Sequence, residues 1–210
     1  MEKAITKKHV GIGFIFLFAV LFINSILARI HVDFESIWWV IRSGVFDLLI
    51  IAAVIYIAFY RKCQSSLPAK IGGAMYALFM FWFEMESLAF HFTGESIVRF
   101  PSMTYAHITY FVLYALGVLL FAWGSKLWLP SKIAYTACVL TNIFCYVMGN
   151  IILRSALHED YESILSTLNT ASWVSFALVA VSLVLTIVWM CSKSNDDKQT
   201  ETYKPILNEI

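Results

Sequence analysis

The sequence predicts an all-α integral membrane protein, a bundle of six transmembrane helices with both termini on the cytoplasmic side. Three observations predict it. Of 210 residues, 60% are hydrophobic and only 14% charged, with a mean hydropathy of +0.75, whereas soluble domains carry about 25% charged residues. Six stretches are each long and apolar enough to cross a bilayer, which takes about 20 residues. The basic residues gather in alternate loops. The composition excludes a secreted disulfide mini-protein and a disordered regulator. A net charge of +1 excludes a nucleic-acid partner.

The predicted spans are Val10–Ile30, Ile37–Tyr60, Lys70–Phe92, Thr104–Ser125, Lys132–Arg154 and Ala171–Ser192. They are read as helices because backbone polar groups in lipid must be satisfied within the segment. The alternating ten-residue segments of a β-barrel are absent. The first span is longer than a signal-peptide core and has no A-x-A-like cleavage site, so it is kept as a span. The domain plan is a cytoplasmic tail 1–9, a transmembrane domain 10–192 and a disordered cytoplasmic tail 193–210. No loop is long enough for a soluble domain, so any activity belongs among the helices or in the short connections.

Lys3, Lys7, Lys8, Arg61, Lys62, Lys70, Lys126, Lys132, Lys193, Lys198 and Lys204 fall on one side, and these are 11 of the 15 basic residues. The opposite loops hold Asp33, Glu35, Glu95, Glu159, Asp160 and Glu162. The positive-inside rule makes the basic side cytoplasmic. Trp38, Trp39, Trp123, Trp128, Trp173 and Trp189 lie near span ends, as interfacial anchors do.

Ionisable residues within a span are functional-site candidates by default, because burying them is costly. Arg42 and Asp47 lie in the second span, and Glu84 and Glu86 in the third. His91 ends the third and His107 opens the fourth. All fall in the non-cytoplasmic half or near the middle, and together they form the predicted substrate or ion pathway. Glu84 and His91, seven apart, share a face, while Glu84 and Glu86 point about 200° apart. One of these glutamates is expected to pair with Arg42, leaving the other to titrate. Weaker polar stripes occur at His107, Tyr110 and Tyr114, at Asn142, Tyr146 and Asn150, and at Ser172, Ser175 and Ser182. These are read first as hydrogen bonds between helices.

Cys63 and Cys191, at cytoplasmic span ends, are candidate lipidation sites. Tyr203 and Ile206 fit the Y-x-x-Φ sorting pattern, which in a eukaryotic cell points to the plasma membrane or endolysosomal membranes. No cofactor is predicted. A six-span haem cytochrome pairs histidines near both faces, and here the cytoplasmic half offers only His9. No metal-ligand spacing occurs. The expected partners are the lipid bilayer, a small solute or ion, and a second copy or another membrane protein.

Arg61-Lys62 after the second span, His107 opening the fourth and Trp173 opening the sixth give a layout that loosely resembles the Frag1/DRAM/Sfk1 group of six-span proteins. The likeness covers these scattered positions only, and that group usually has a longer first outer loop than residues 31–36. It implies a non-catalytic scaffold or trafficking regulator. The residues themselves point first to a small-solute or ion transporter or channel. A lipid-acting intramembrane enzyme using Glu84, His91 and His107 is the third reading, and an enzyme is the less favoured class.

Overall fold

A computed structural model describes residues 2–30, 37–93, 103–148 and 161–192. Among these the chain is helical and has no strand. The helices are α1 (Glu2–Ile30), α2 (Ile37–Phe59), α3 (Leu67–Thr93), α4 (Met103–Gly124), α5 (Leu129–Val147) and α6 (Tyr161–Cys191), with a 3-10 turn at Arg61–Cys63 between α2 and α3. Three stretches are long and apolar enough to cross a membrane: Ala4–Arg29, Ile41–Phe59 and Glu162–Cys191. A shorter apolar stretch, Phe111–Gly124, lies in α4. The length is sufficient because a helix rises about 1.5 Å per residue, so the 31 residues of α6 reach about 46 Å.

α1 and α6 begin furthest ahead of the predicted spans. α1 starts at Glu2, inside the predicted tail 1–9, because that end is docked. Lys7 Nζ donates to the carbonyl oxygen of Ser192, and to its hydroxyl at 3.1 Å. His9 Nδ1 meets the Tyr56 hydroxyl at 2.9 Å. α6 starts at Tyr161, ten residues before the predicted span. Its first turn holds Glu162, favourable at a helix N-terminus. Thr167 and Thr170 return their hydroxyls to the carbonyls of Ser163 and Ser166 at 2.9 and 3.0 Å, so this polar stretch stays helical. The 193–210 tail lies outside the described residues.

Every helix packs on its neighbours in sequence, and α1 packs on α6, so the six form a closed ring. Adjacent helices run antiparallel. On α3 and α4, for example, Ala69 faces Gly124 while Met75 faces Gly117. On α1 and α6, Lys7 bonds Ser192 while Arg29 bonds Ser172. Both ends of the bundle therefore emerge on one side. Lys7, Arg61, Lys62, Lys70, Lys126 and Lys132 sit at that same end.

The half nearest the chain ends is packed solid. Phe14 and Phe18 of α1 point inward and are fully buried. The Phe14 ring lies 5.4 Å from that of Phe121 on α4, and the Phe18 ring 5.0 Å from that of Tyr135 on α5. Ile50, Val54 and Ile57 fill the space from α2. α3 and α4 touch backbone to backbone. A Cβ on Gly72 would collide with the Phe121 amide and lie 2.6 Å from the Gly117 carbonyl oxygen. The Ser66 hydroxyl bonds the Gly124 carbonyl at 2.6 Å and fastens the same pair. Lys132 Nζ takes the carbonyls of Trp123 and Ser125 at 3.0 and 2.8 Å, as a cation does at a helix C-terminus.

Candidate functional site: a chamber and a carboxyl pair

The packing opens in the other half of the ring. A cavity of about 160 Å³ lies between α1, α3, α4, α5 and α6. Its floor is three tyrosines from three helices, Tyr76, Tyr114 and Tyr135. The Tyr135 hydroxyl lies 3.4 Å from that of Tyr76, and Tyr114 hydrogen-bonds Tyr76 from α4. Three phenols meet here because α3, α4 and α5 each turn one residue to the axis at the same depth. Tyr76 rests edge-on against the Tyr114 ring at 5.2 Å.

One wall is polar. Ser175 on α6 donates to Asn142 Oδ1 on α5 at 2.7 Å, and the Cys138 sulfur lies 3.4 Å from the same hydroxyl. These are hydrogen bonds between helices, and they also line the cavity. At the rim stands Arg29, held by the carbonyls of Ser25 and Ser172, both at 2.9 Å, and by the Ser172 hydroxyl at 3.0 Å. Its guanidinium stacks on Trp173 and Phe176, 4.7 and 4.8 Å from their ring centres. Leu21, Val139 and Val179 supply the apolar surface.

A second polar centre lies on the α2–α3 seam. Glu84 of α3 hydrogen-bonds Ser43 and Asp47 of α2. It fits because the facing residue is glycine: a Cβ on Gly44 would lie 2.7 Å from Glu84 Oε1. Two carboxyl groups share a hydrogen bond only when a proton lies between them. Asp47 also lies within electrostatic reach of Tyr76 and Tyr114, so the seam and the chamber floor are neighbours.

Of the two glutamates expected to pair with Arg42, Glu84 bonds Ser43 and Asp47 instead, and the Glu86 side chain lies outside the described residues. Arg42 Nη1 donates to the Leu27 carbonyl on α1 at 2.9 Å, and its buried Nε has no hydrogen-bond partner. The carbonyls of the last turn of α1 are open acceptors, and Arg42 reaches one from the adjacent helix. It therefore ties α2 to α1, while Glu84 turns to Asp47. Glu86 and His91 lie on α3 and His107 on α4, and their side chains fall outside the described residues. Tyr203 and Ile206 are also outside them. Among the described residues no cluster of three His, Cys, Asp or Glu is placed to hold a metal.

Arg29 and the tyrosine floor were not among the predicted site residues. The available signal was the stripe spacing: Tyr114, Asn142, Ser172 and Ser175 belong to three stripes that converge on one chamber.

The two lipidation candidates part company. Cys191 is exposed at the end of α6, while Cys63 is fully buried under the 3-10 turn. Burial pushes the Cys63 thiol from 9.0 up to about 11. It is held as the neutral thiol, which is a poor nucleophile. A maleimide at neutral pH is expected to label Cys191 and spare Cys63, so Cys191→Ser removes the fast phase and Cys63→Ser does not. Because burial disfavours the thiolate, Cys63 stabilises the fold below pH 9.0, and that contribution is lost as pH rises through about 11.

Comparison with protein-family models, curated proteins and solved structures finds no match for this chain.

Proposed function

We propose that this is a six-span membrane protein that moves a small solute or ion across the bilayer, with the chamber as its binding site and the Asp47–Glu84 pair as its proton-coupling group. The chamber carries the reading. A cavity with a polar wall and a hydroxyl floor, enclosed by five apolar helices, is costly to keep open unless something enters it. A proton shared by two carboxyls beside that floor gives solute binding and protonation a route to influence one another. The basic end with both chain ends is read as cytoplasmic, so the chamber belongs to the opposite half of the membrane.

The test is flux in proteoliposomes carrying pH and monovalent-ion indicators, wild type beside Glu84→Gln. Glutamine keeps hydrogen bonds to Ser43 and Asp47 and cannot exchange a proton. Flux is expected to fall to background, with elution volume and melting temperature unchanged. Normal flux in the mutant removes Glu84 from the mechanism. No flux from folded wild type withdraws these ions as substrates.

A scaffold or trafficking regulator is the second reading, favoured by one observation: the half-buried Arg42 guanidinium serves as a helix tie. Under that reading Arg42→Gln and Glu84→Gln both lower the yield of folded protein. Under the transport reading only Arg42→Gln does.

A further inference from the structure

We infer that the chamber takes a small carboxylate anion, with the carboxylate on Arg29 at the rim and the carbon end against the apolar wall; this rests on the chamber being the binding site of the proposed transporter. Arg29 is the one charged residue in the described lining, and no acidic residue joins it there. Among the described residues its hydrogen bonds go to neutral groups, the carbonyls of Ser25 and Ser172 and the Ser172 hydroxyl. Those contacts, with the stacking on Trp173 and Phe176, orient the guanidinium, and among the described residues no acidic group pairs with it. A guanidinium has five N–H groups, and these bonds take at most three of them. At least two N–H groups, on Nε and Nη1, therefore stay available, and because they point to different sides each offers a carboxylate a single charge-assisted bond. A positive charge at the edge of low-dielectric walls favours an anion.

The remaining lining fits the rest of such a molecule. Val139 and Val179 offer aliphatic surface for a short carbon chain. A volume of about 160 Å³ accepts a few heavy atoms and excludes a long acyl chain. A metal cation finds no carboxylate among the described residues of this lining. A fully hydrated inorganic anion would leave the apolar wall without a partner.

The experiment is equilibrium binding of radiolabelled propionate to the purified full chain in detergent at pH 7, with propionamide and propylammonium as competitors of the same size. Propionate is expected to saturate one site, and neither competitor to displace it at a hundredfold excess. Arg29→Gln is expected to weaken binding at least tenfold. Val139→Phe keeps the charge and fills the cavity, and is expected to abolish binding; it serves if Arg29→Gln does not fold. Equal displacement by propionamide, preference for propylammonium, or unchanged binding in either folded variant overturns the inference. So does displacement of propionate by phosphatidylglycerol at a few molecules per chain, which would give Arg29 to a lipid headgroup. The two failures are distinguishable. Propionate binding without flux of any solute leaves the site and removes the transporter. Monovalent-ion flux without propionate binding leaves the transporter and removes the carboxylate.

Discussion

Gly72→Leu is expected to prevent folding of the bundle. The α3–α4 contact has no room for a side chain, since a Cβ at residue 72 meets the Phe121 amide and the Gly117 carbonyl. Neither is the flexible end of a side chain, so both helices must separate along their length. The Ser66–Gly124 bond and the floor contact between Tyr76 and Tyr114 are then lost together. Overpacking a core costs about 1–3 kcal/mol when side chains move aside, and more when backbone must. The expected cost here exceeds about 3 kcal/mol on that scale. Size-exclusion chromatography after detergent extraction reads it as loss of the monodisperse peak. Gly11→Ala is the control: its neighbour is the Met190 side chain at 3.1 Å, which is adaptable, so that variant should remain folded. A monodisperse Gly72→Leu protein would refute the backbone contact.

Phe14→Ala is expected to leave the protein folded but much weaker. Phe14 is fully buried, with Phe18 and Phe121 on two sides. In water the change costs about 3–5 kcal/mol, part of it from transferring the ring to solvent. In lipid that part falls away, because a separated helix still buries the ring in hydrocarbon. The cavity part survives: a void on the order of 100 Å³ at about 24 cal/mol per Å³ gives about 2 kcal/mol. Denaturation in mixed micelles should show the midpoint shift, and Phe16→Ala, at an exposed position, should show almost none. Equal shifts in the two variants would place Phe14 on the lipid face.

Much of this was legible in the sequence. Every described α-helix overlaps a stretch that hydropathy picks out, and three are long and apolar enough to cross a membrane. The start of α6 was missed because Glu162–Thr170 is polar, and a hydropathy window registers the solvent of a segment rather than its helicity. The site was legible by residue type and not by partner. Arg42, Asp47 and Glu84 stood out as charges within spans. Which of them meet depends on helix rotation, and helices apolar on all sides carry no moment to reveal it. Arg29 was overlooked because it lies at a span edge, where an arginine is ordinarily an interfacial anchor. Its importance comes from Ser172 and Trp173, far away in sequence. Tyr76 gave no signal on its own. It matters because Tyr114 and Tyr135 arrive at the same depth.

The closed ring also bears on biosynthesis. Five of its six contacts join consecutive helices and can form as each hairpin leaves the ribosome. The sixth, α1 on α6, must wait. The chamber draws on both of these helices through Arg29, Ser172 and Ser175, so a nascent chain holds an open crescent with Arg29 lacking its Ser172 and Trp173 contacts. A chain stopped before α6 therefore lacks the α6 wall of the chamber and leaves one flank of α1 uncovered.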